Sequence, residues 1–120
     1  MTEPRAWPTE LRLRDGGRML EVTFDDGSAF GLDAEYLRVE SPSAEVKGHG
    51  PGQEVTVPGK RHVRIAGIEP VGNYAVRITF DDRHSTGIFS WDYLHKLGAE
   101  RDDLWAAYIA KLTAQGLSRD

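Results

Sequence analysis

A pentapeptide occurs twice in this chain, and the spacing between its occurrences limits the fold more than any other feature. Val22-Thr23-Phe24-Asp25-Asp26 returns as Ile78-Thr79-Phe80-Asp81-Asp82, a step of 56 positions (24 to 80). The echo runs on: Gly31 aligns with Gly87, Leu32 with Ile88, and Tyr36-Leu37 with Tyr93-Leu94 after a one-residue slip. An internal repeat of this length predicts one supersecondary unit used twice. With 120 residues in all, the two units must share a single core, because neither half alone could bury enough surface.

Each unit reads as β-β-β-α. In the first, Leu11 and Leu13 alternate with polar residues over Glu10–Arg14, Asp15-Gly16-Gly17 turns, and Leu20, Val22 and Phe24 share one face of Met19–Phe24. Asp25-Asp26-Gly27 supplies the next tight turn, and a strand over Ser28–Leu32 leads to a helix that Asp33 is placed to cap. In the second, Val63, Ile65 and Ile68 mark a strand with a bulge at Gly67, and Tyr74, Val76, Ile78 and Phe80 alternate cleanly. A strand over Ser85–Phe89 follows, then Ser90 caps a helix over Trp91–Leu97 that ends at Gly98. An amphipathic helix of about 102–115 closes the chain, with Asp102 as its cap, a stripe of Leu104, Trp105, Tyr108, Ile109 and Leu112, and Gly116 as its stop. The expected architecture is α+β: duplicated units forming a small, mostly antiparallel assembly, either one mixed sheet or two interlocked sheets, with the repeat core at about 8–98. Met1–Pro8 reads as a loose arm. Ser41–Gly59, with three prolines and four glycines, reads as a long loop with at most one edge strand around Val55 and Val57, and the composition favours mobility.

Composition narrows the chemistry. There is no cysteine, which removes disulfides, thiolate nucleophiles and thiolate metal sites. The net charge of -4 argues against nucleic acid or an anionic membrane as partner, and Arg12, Arg14 and Arg18, or Lys60, Arg61 and Arg64, read as solvated strand faces. No apolar run is long enough to span a bilayer and no signal-peptide core is present, so the expected compartment is the cytoplasm. Gly59-Lys60 fails as a phosphate loop, since Glu54 stands where glycine is needed and Arg61 follows the lysine. Among His49, His62, His84 and His95, no pair has the helical spacing of a zinc protease. The Asp81-Asp82-x-His84 turn has two readings. It offers oxygen and imidazole ligands to a divalent metal, with His49 as a further ligand; or its aspartates simply cap backbone N–H groups, as Asp25-Asp26 would without a histidine.

Three strings carry a family resemblance: Leu37-Arg38-Val39-Glu40-Ser41-Pro42-Ser43-Ala44-Glu45-Val46, Ile68-Glu69-Pro70-Val71-Gly72-Asn73-Tyr74-Ala75, and the run from Phe80-Asp81-Asp82 through His84-Ser85-Thr86-Gly87-Ile88-Phe89-Ser90-Trp91-Asp92-Tyr93-Leu94. Together they resemble the gamma-butyrobetaine hydroxylase-like N-terminal domain, the DUF971 family, over about residues 8–98. Such domains occur alone in bacteria, at the N-terminus of carnitine-pathway oxygenases, and fused to Mrp-type P-loop ATPases implicated in iron–sulfur cluster handling. In the oxygenases the resemblance implies a structural zinc held by three cysteines and one histidine. Those positions fall here on Ser41, Ser43, Val46 and His84, so zinc is expected to be absent and no other cofactor is implied. Oxygenase and ATPase activities belong to the other domains of those proteins.

The expected function is therefore a non-catalytic cytoplasmic adaptor with a protein partner, linked to iron–sulfur or cofactor metabolism. Its expected working surface is the seam of Arg38, Ser41, Ser43, His49, Asp82, His84 and Trp91. The competing reading is a metal-binding protein or metal-dependent enzyme using His84 with Asp81 or Asp82. A third is a homodimer paired through an exposed strand edge.

Overall fold

The structure, a computed structural model, describes residues 6–43, 46 and 55–120. Its strands are β1 (Pro8–Arg14), β2 (Met19–Phe24), β3 (Ala29–Asp33), β4 (Ile65–Val71), β5 (Ala75–Phe80) and β6 (Ile88–Ser90). Its helices are α1 (Ala34–Val39), α2 (Trp91–Ala99) and α3 (Arg101–Ala114), and one 3-10 turn, Asp15–Gly17, joins β1 to β2. The strands form two separate antiparallel meanders, β1-β2-β3 and β4-β5-β6, so the duplication gives two sheets rather than one mixed sheet. No described helix is long and apolar enough to cross a membrane.

Alternation along the central strands builds the core. Leu20, Val22 and Phe24 of β2, with Leu32 of β3, face Val76, Ile78 and Phe80 of β5, with Phe89 of β6, in one cluster that also takes Tyr36, Leu37, Leu94 and Leu97 from the helices. Each fully buried large apolar side chain contributes roughly 1.5–3 kcal/mol. The α3 stripe lies over this cluster and over a smaller one made with Val39.

The repeat extends to individual backbone bonds. Phe24 N–H donates to Ser28 C=O (2.8 Å) and Phe80 N–H to His84 C=O (2.9 Å). Asp25 exchanges bonds with Trp7 as Asp81 does with Arg64, the carboxylate accepting from the backbone N–H at 3.0 and 3.1 Å. The first aspartate of each pair thus anchors the preceding strand, and the second, Asp26 or Asp82, accepts from the N–H two residues on. β1 and β4 both shift register near their starts, which places the expected bulge between Ile65 and Gly67. Gly27 (φ 88) has Arg83 (φ 73) as its counterpart, a non-glycine residue in the left-handed region.

Pairing across the sheets relocates the one-residue slip. Leu20 faces Leu32 while Val76 faces Phe89, so the insertion precedes β6. Gly31 is therefore equivalent to Ile88, Phe30 to Gly87, and Ala34 rather than Glu35 to Trp91. Sequence matching alone places the slip later, because Gly31-Leu32 and Gly87-Ile88 look alike.

Several boundaries differ from expectation. β1 begins at Pro8, and Ile88–Ser90 replaces the predicted Ser85–Phe89 strand. Ser90 caps α2 through the Tyr93 N–H (3.1 Å), but Asp33, though at the cap position of α1, makes no side-chain cap bond. Helix α2 runs through Gly98 to Ala99, because that glycine lies against a ring rather than ending the helix. Glu100 is the cap position of α3, leaving Asp102 in its first turn. No strand occurs among the described residues of 41–59. His49 and most of that loop lie outside the described residues.

Candidate functional site: the seam between the halves

Each helix end reaches across to the other half. Tyr36 of α1 donates its hydroxyl proton to the Leu97 carbonyl at 2.7 Å, and Tyr93 of α2 donates to the Glu40 carbonyl. The positions correspond, 36 with 93 and 40 with 97, so the two bonds are reciprocal. Burial raises the pKa of both phenols, keeping them neutral donors. Arg38 and His95 are the next matched pair: Arg38 Nε bonds Asp82 Oδ2 at 2.8 Å, and His95 Nε2 lies 2.9 Å from Asp26 Oδ2. Residue i touching j' while j touches i' is the signature of a two-fold interface, here within one chain.

The halves also fit by exchange of bulk. Phe30 packs on Gly98, where an added Cβ would lie 2.2 Å from the ring; on the opposite seam Ser41 packs on Gly87, whose Cβ would lie 2.3 Å from the serine oxygen. Ser41 is the equivalent of Gly98 and Gly87 that of Phe30, so side chain and gap have traded places.

At the first seam three buried polar groups converge. His84 Nε2 lies 3.0 Å from Ser41 Oγ and 3.3 Å from Ser43 Oγ, and the hydroxyls are 3.4 Å apart. Ser41 is 0% exposed and His84 7%. Val46 is buried alongside, its N–H bonded to the Ser43 carbonyl. The fold thus brings Ser41, Ser43 and His84 into direct contact, with Val46 as their neighbour. Trp91 is not among them: it is buried at the other end of β5, its indole N–H on the Asn73 carbonyl at 2.9 Å.

Asp82 sits beside this cluster. It accepts from Lys60 Nζ (2.6 Å), Arg38 Nε and the His84 N–H, and its side chain is 21% exposed. Burial alone would raise its pKa from 3.8, but the bonds from Lys60, His84 and Arg38 outweigh that and hold it at about 2. A depressed value means stability that is present above about pH 4 and is lost as pH falls towards 2. Asp82→Asn should cost about 1–2 kcal/mol at neutral pH. Urea titrations of both proteins should show that gap shrinking once the pH drops below 4. On the second seam, the Ser28 hydroxyl and N–H, then His95, bring Asp26 to about 2. Asp81 is committed to the Arg64 backbone.

The chemistry open to the cluster is narrow. A hydroxyl beside an imidazole can serve as a nucleophile, but Ser41 has no solvent access and the Gly87 backbone closes over it. As zinc ligands, two neutral hydroxyls, a hydrocarbon and one imidazole supply neither the charge nor the softness of thiolates. Among the described residues no three His, Cys, Asp or Glu side chains group to hold a metal. One guanidinium nitrogen, Arg38 Nη1, is buried without a hydrogen-bond partner among the described residues. A groove of about 410 Å³ lies elsewhere, between β3 and the start of α3.

Sequence reasoning missed Lys60 as a partner of Asp82, and it missed the reciprocal tyrosines although Tyr36 and Tyr93 stood in the repeat. It also missed Glu35, an acid within the apolar run of α1, buried at 7% and gripped by Arg119 through two bonds of 2.6 and 2.8 Å.

The chain resembles known proteins over most of its length. Two solution NMR structures match with TM-scores of 0.82: one is 43% identical, covering 96% of this chain and 90% of its own, the other 48% identical, covering 99% and 90%. A crystal structure of a DUF971-family protein of unknown function from Acidithiobacillus ferrooxidans is 42% identical, covers 82% of this chain and 100% of its own, and has a TM-score of 0.66. No curated protein matches. The family model described as "Gamma-butyrobetaine hydroxylase-like, N-terminal" matches residues 11–95, which take in both reciprocal tyrosines and all of the duplicated sheets but the start of β1, and the chain belongs to that family.

Proposed function

We propose that this chain is a non-catalytic, cytoplasmic interaction module without zinc, serving an enzyme of iron–sulfur or cofactor metabolism. One observation carries the reading. At the seam that corresponds to the family's zinc positions, the polar groups Ser41, Ser43 and His84 are buried and bonded to one another, where they join the two halves. A fold that uses its reactive side chains as internal ties works through its outer surface. The link to metabolism rests on the enzymes to which resembling domains are fused.

Gentle affinity capture from lysate, quantified against a tag-only control, is the test. A reproducibly enriched enzyme of that class is expected, and recovery at background level contradicts the reading. Titration of zinc, Fe(II) and Mn(II) against the protein, following the His84 imidazole resonances, checks the rest. No shift is expected at high micromolar metal. A saturable shift that His84→Ala removes would instead establish a metal site at His84 and its aspartate neighbours.

A further inference from the structure

Beyond Gly116 (φ 66) the chain leaves α3 and runs back beside residues 59–61. Gly59 N–H donates to the Ser118 carbonyl at 2.9 Å and Arg61 N–H to the Arg119 carbonyl at 3.0 Å. Arg119 enters a socket. Its Nε and Nη2 bond the two oxygens of buried Glu35, and its guanidinium carbon lies 5.2 Å from the centre of the Trp105 ring. Arg61 Nε meets the Asp120 carboxylate at 2.6 Å.

Every element needed to read a peptide is present: backbone groups for an extended strand, a planar carboxylate for a guanidinium fork, an aromatic face beneath it, and an arginine for the acid that follows. What holds the tail is almost all polar. Leu117 is 38% exposed, so little apolar surface locks the segment down. Apart from the Arg119–Glu35 pair, these contacts are exposed and exchange readily.

We infer that this groove is a receptor for an extended Arg-acidic peptide, filled in cis by Ser118-Arg119-Asp120, and that a partner carrying such a segment binds by displacing the tail. The inference deepens the interaction-module reading and rests on it. It gives the partner a chemistry: an arginine followed by aspartate or glutamate in extended conformation. Lysine should be a poor substitute, since it cannot make the two-pronged bond to Glu35. The tethered tail competes at an effective concentration in the millimolar range, so binding in trans should strengthen when the tail's own arginine is removed.

The Arg119→Ala protein provides the test. Loss of Glu35's partner should lower Tm by roughly 5–10 °C. Acetyl-Gly-Leu-Ser-Arg-Asp, added at millimolar concentration, should restore much of that loss and shift the Gly59 and Arg61 amide and Trp105 indole resonances saturably. The same peptide with lysine for arginine should bind at least about tenfold more weakly, and adding Glu35→Gln should abolish discrimination between the two. If Arg119→Ala does not fold, Arg119→Lys, which keeps the charge and loses the fork, takes its place. Absence of saturable shifts, equal binding of both peptides, or discrimination that survives Glu35→Gln overturns the inference. A protein that captures a partner from lysate yet binds no arginine peptide loses this site and keeps the adaptor role.

Discussion

Gly17→Ala is expected to destabilise the protein by about 3–5 kcal/mol, a large part of the 5–15 kcal/mol typical of a domain. Gly17 ends the 3-10 turn of the first half with φ at 93°, a conformation that side chains resist. The added carbon would lie 2.3 Å from the Ile65 carbonyl oxygen and 3.3 Å from the Ile65 carbonyl carbon and nitrogen. Those are backbone atoms of β4 in the other half, so no flexible side chain can yield. Gly27→Ala is the internal control, with φ at 88° and no atom within 4 Å of the added carbon. It should cost only about 1 kcal/mol, the conformational part alone. Urea denaturation of the two variants separates backbone strain from contact between the halves. Equal midpoints would mean that the halves do not meet at Gly17.

Local structure was readable where chemistry is local. Two Asp-Asp turns, alternating apolar strands, the serine cap of α2 and the stripe of α3 all follow from neighbours in sequence, and each occurs. Apart from the helix caps expected at Asp33 and Asp102 and shifts of strand ends, errors arose where a residue answers to a distant partner. Gly98 has the composition of a helix stop, but α2 runs through it to Ala99, and Phe30 occupies the space a side chain there would need. The slip was misplaced because sequence similarity cannot see which residues face each other across a ladder, whereas the pairing of Val76 with Phe89 fixes it. The seam was partly legible. Resemblance alone put Ser41, Ser43, Val46 and His84 in one neighbourhood, and the structure gathers the polar three. That they are buried and mutually bonded had no signal in the string. Neither had the Glu35–Arg119 pair, whose members stand 84 positions apart.

The second large effect belongs to the exchange of bulk at the seams. Gly98→Ser should cost about 2–4 kcal/mol, because its Cβ would fall 2.2, 2.4 and 2.7 Å from three atoms of the Phe30 ring. Phe30→Gly should also cost about 2–4 kcal/mol, through the lost packing of a half-buried ring and a glycine in a strand. Combined, the substitutions give the second seam the serine-on-glycine arrangement that Ser41 and Gly87 form at the first. If the halves are related by an approximate two-fold axis, the serine then has the space its counterpart already uses.

The most direct measurement is the double-mutant cycle of Gly98→Ser and Phe30→Gly, read from urea unfolding. A two-fold seam predicts that the double variant is more stable than the sum of the single losses implies, by at least about 2 kcal/mol. Additivity to within about 0.5 kcal/mol would contradict it, for then Phe30 and Gly98 would not be the partners that Gly87 and Ser41 are.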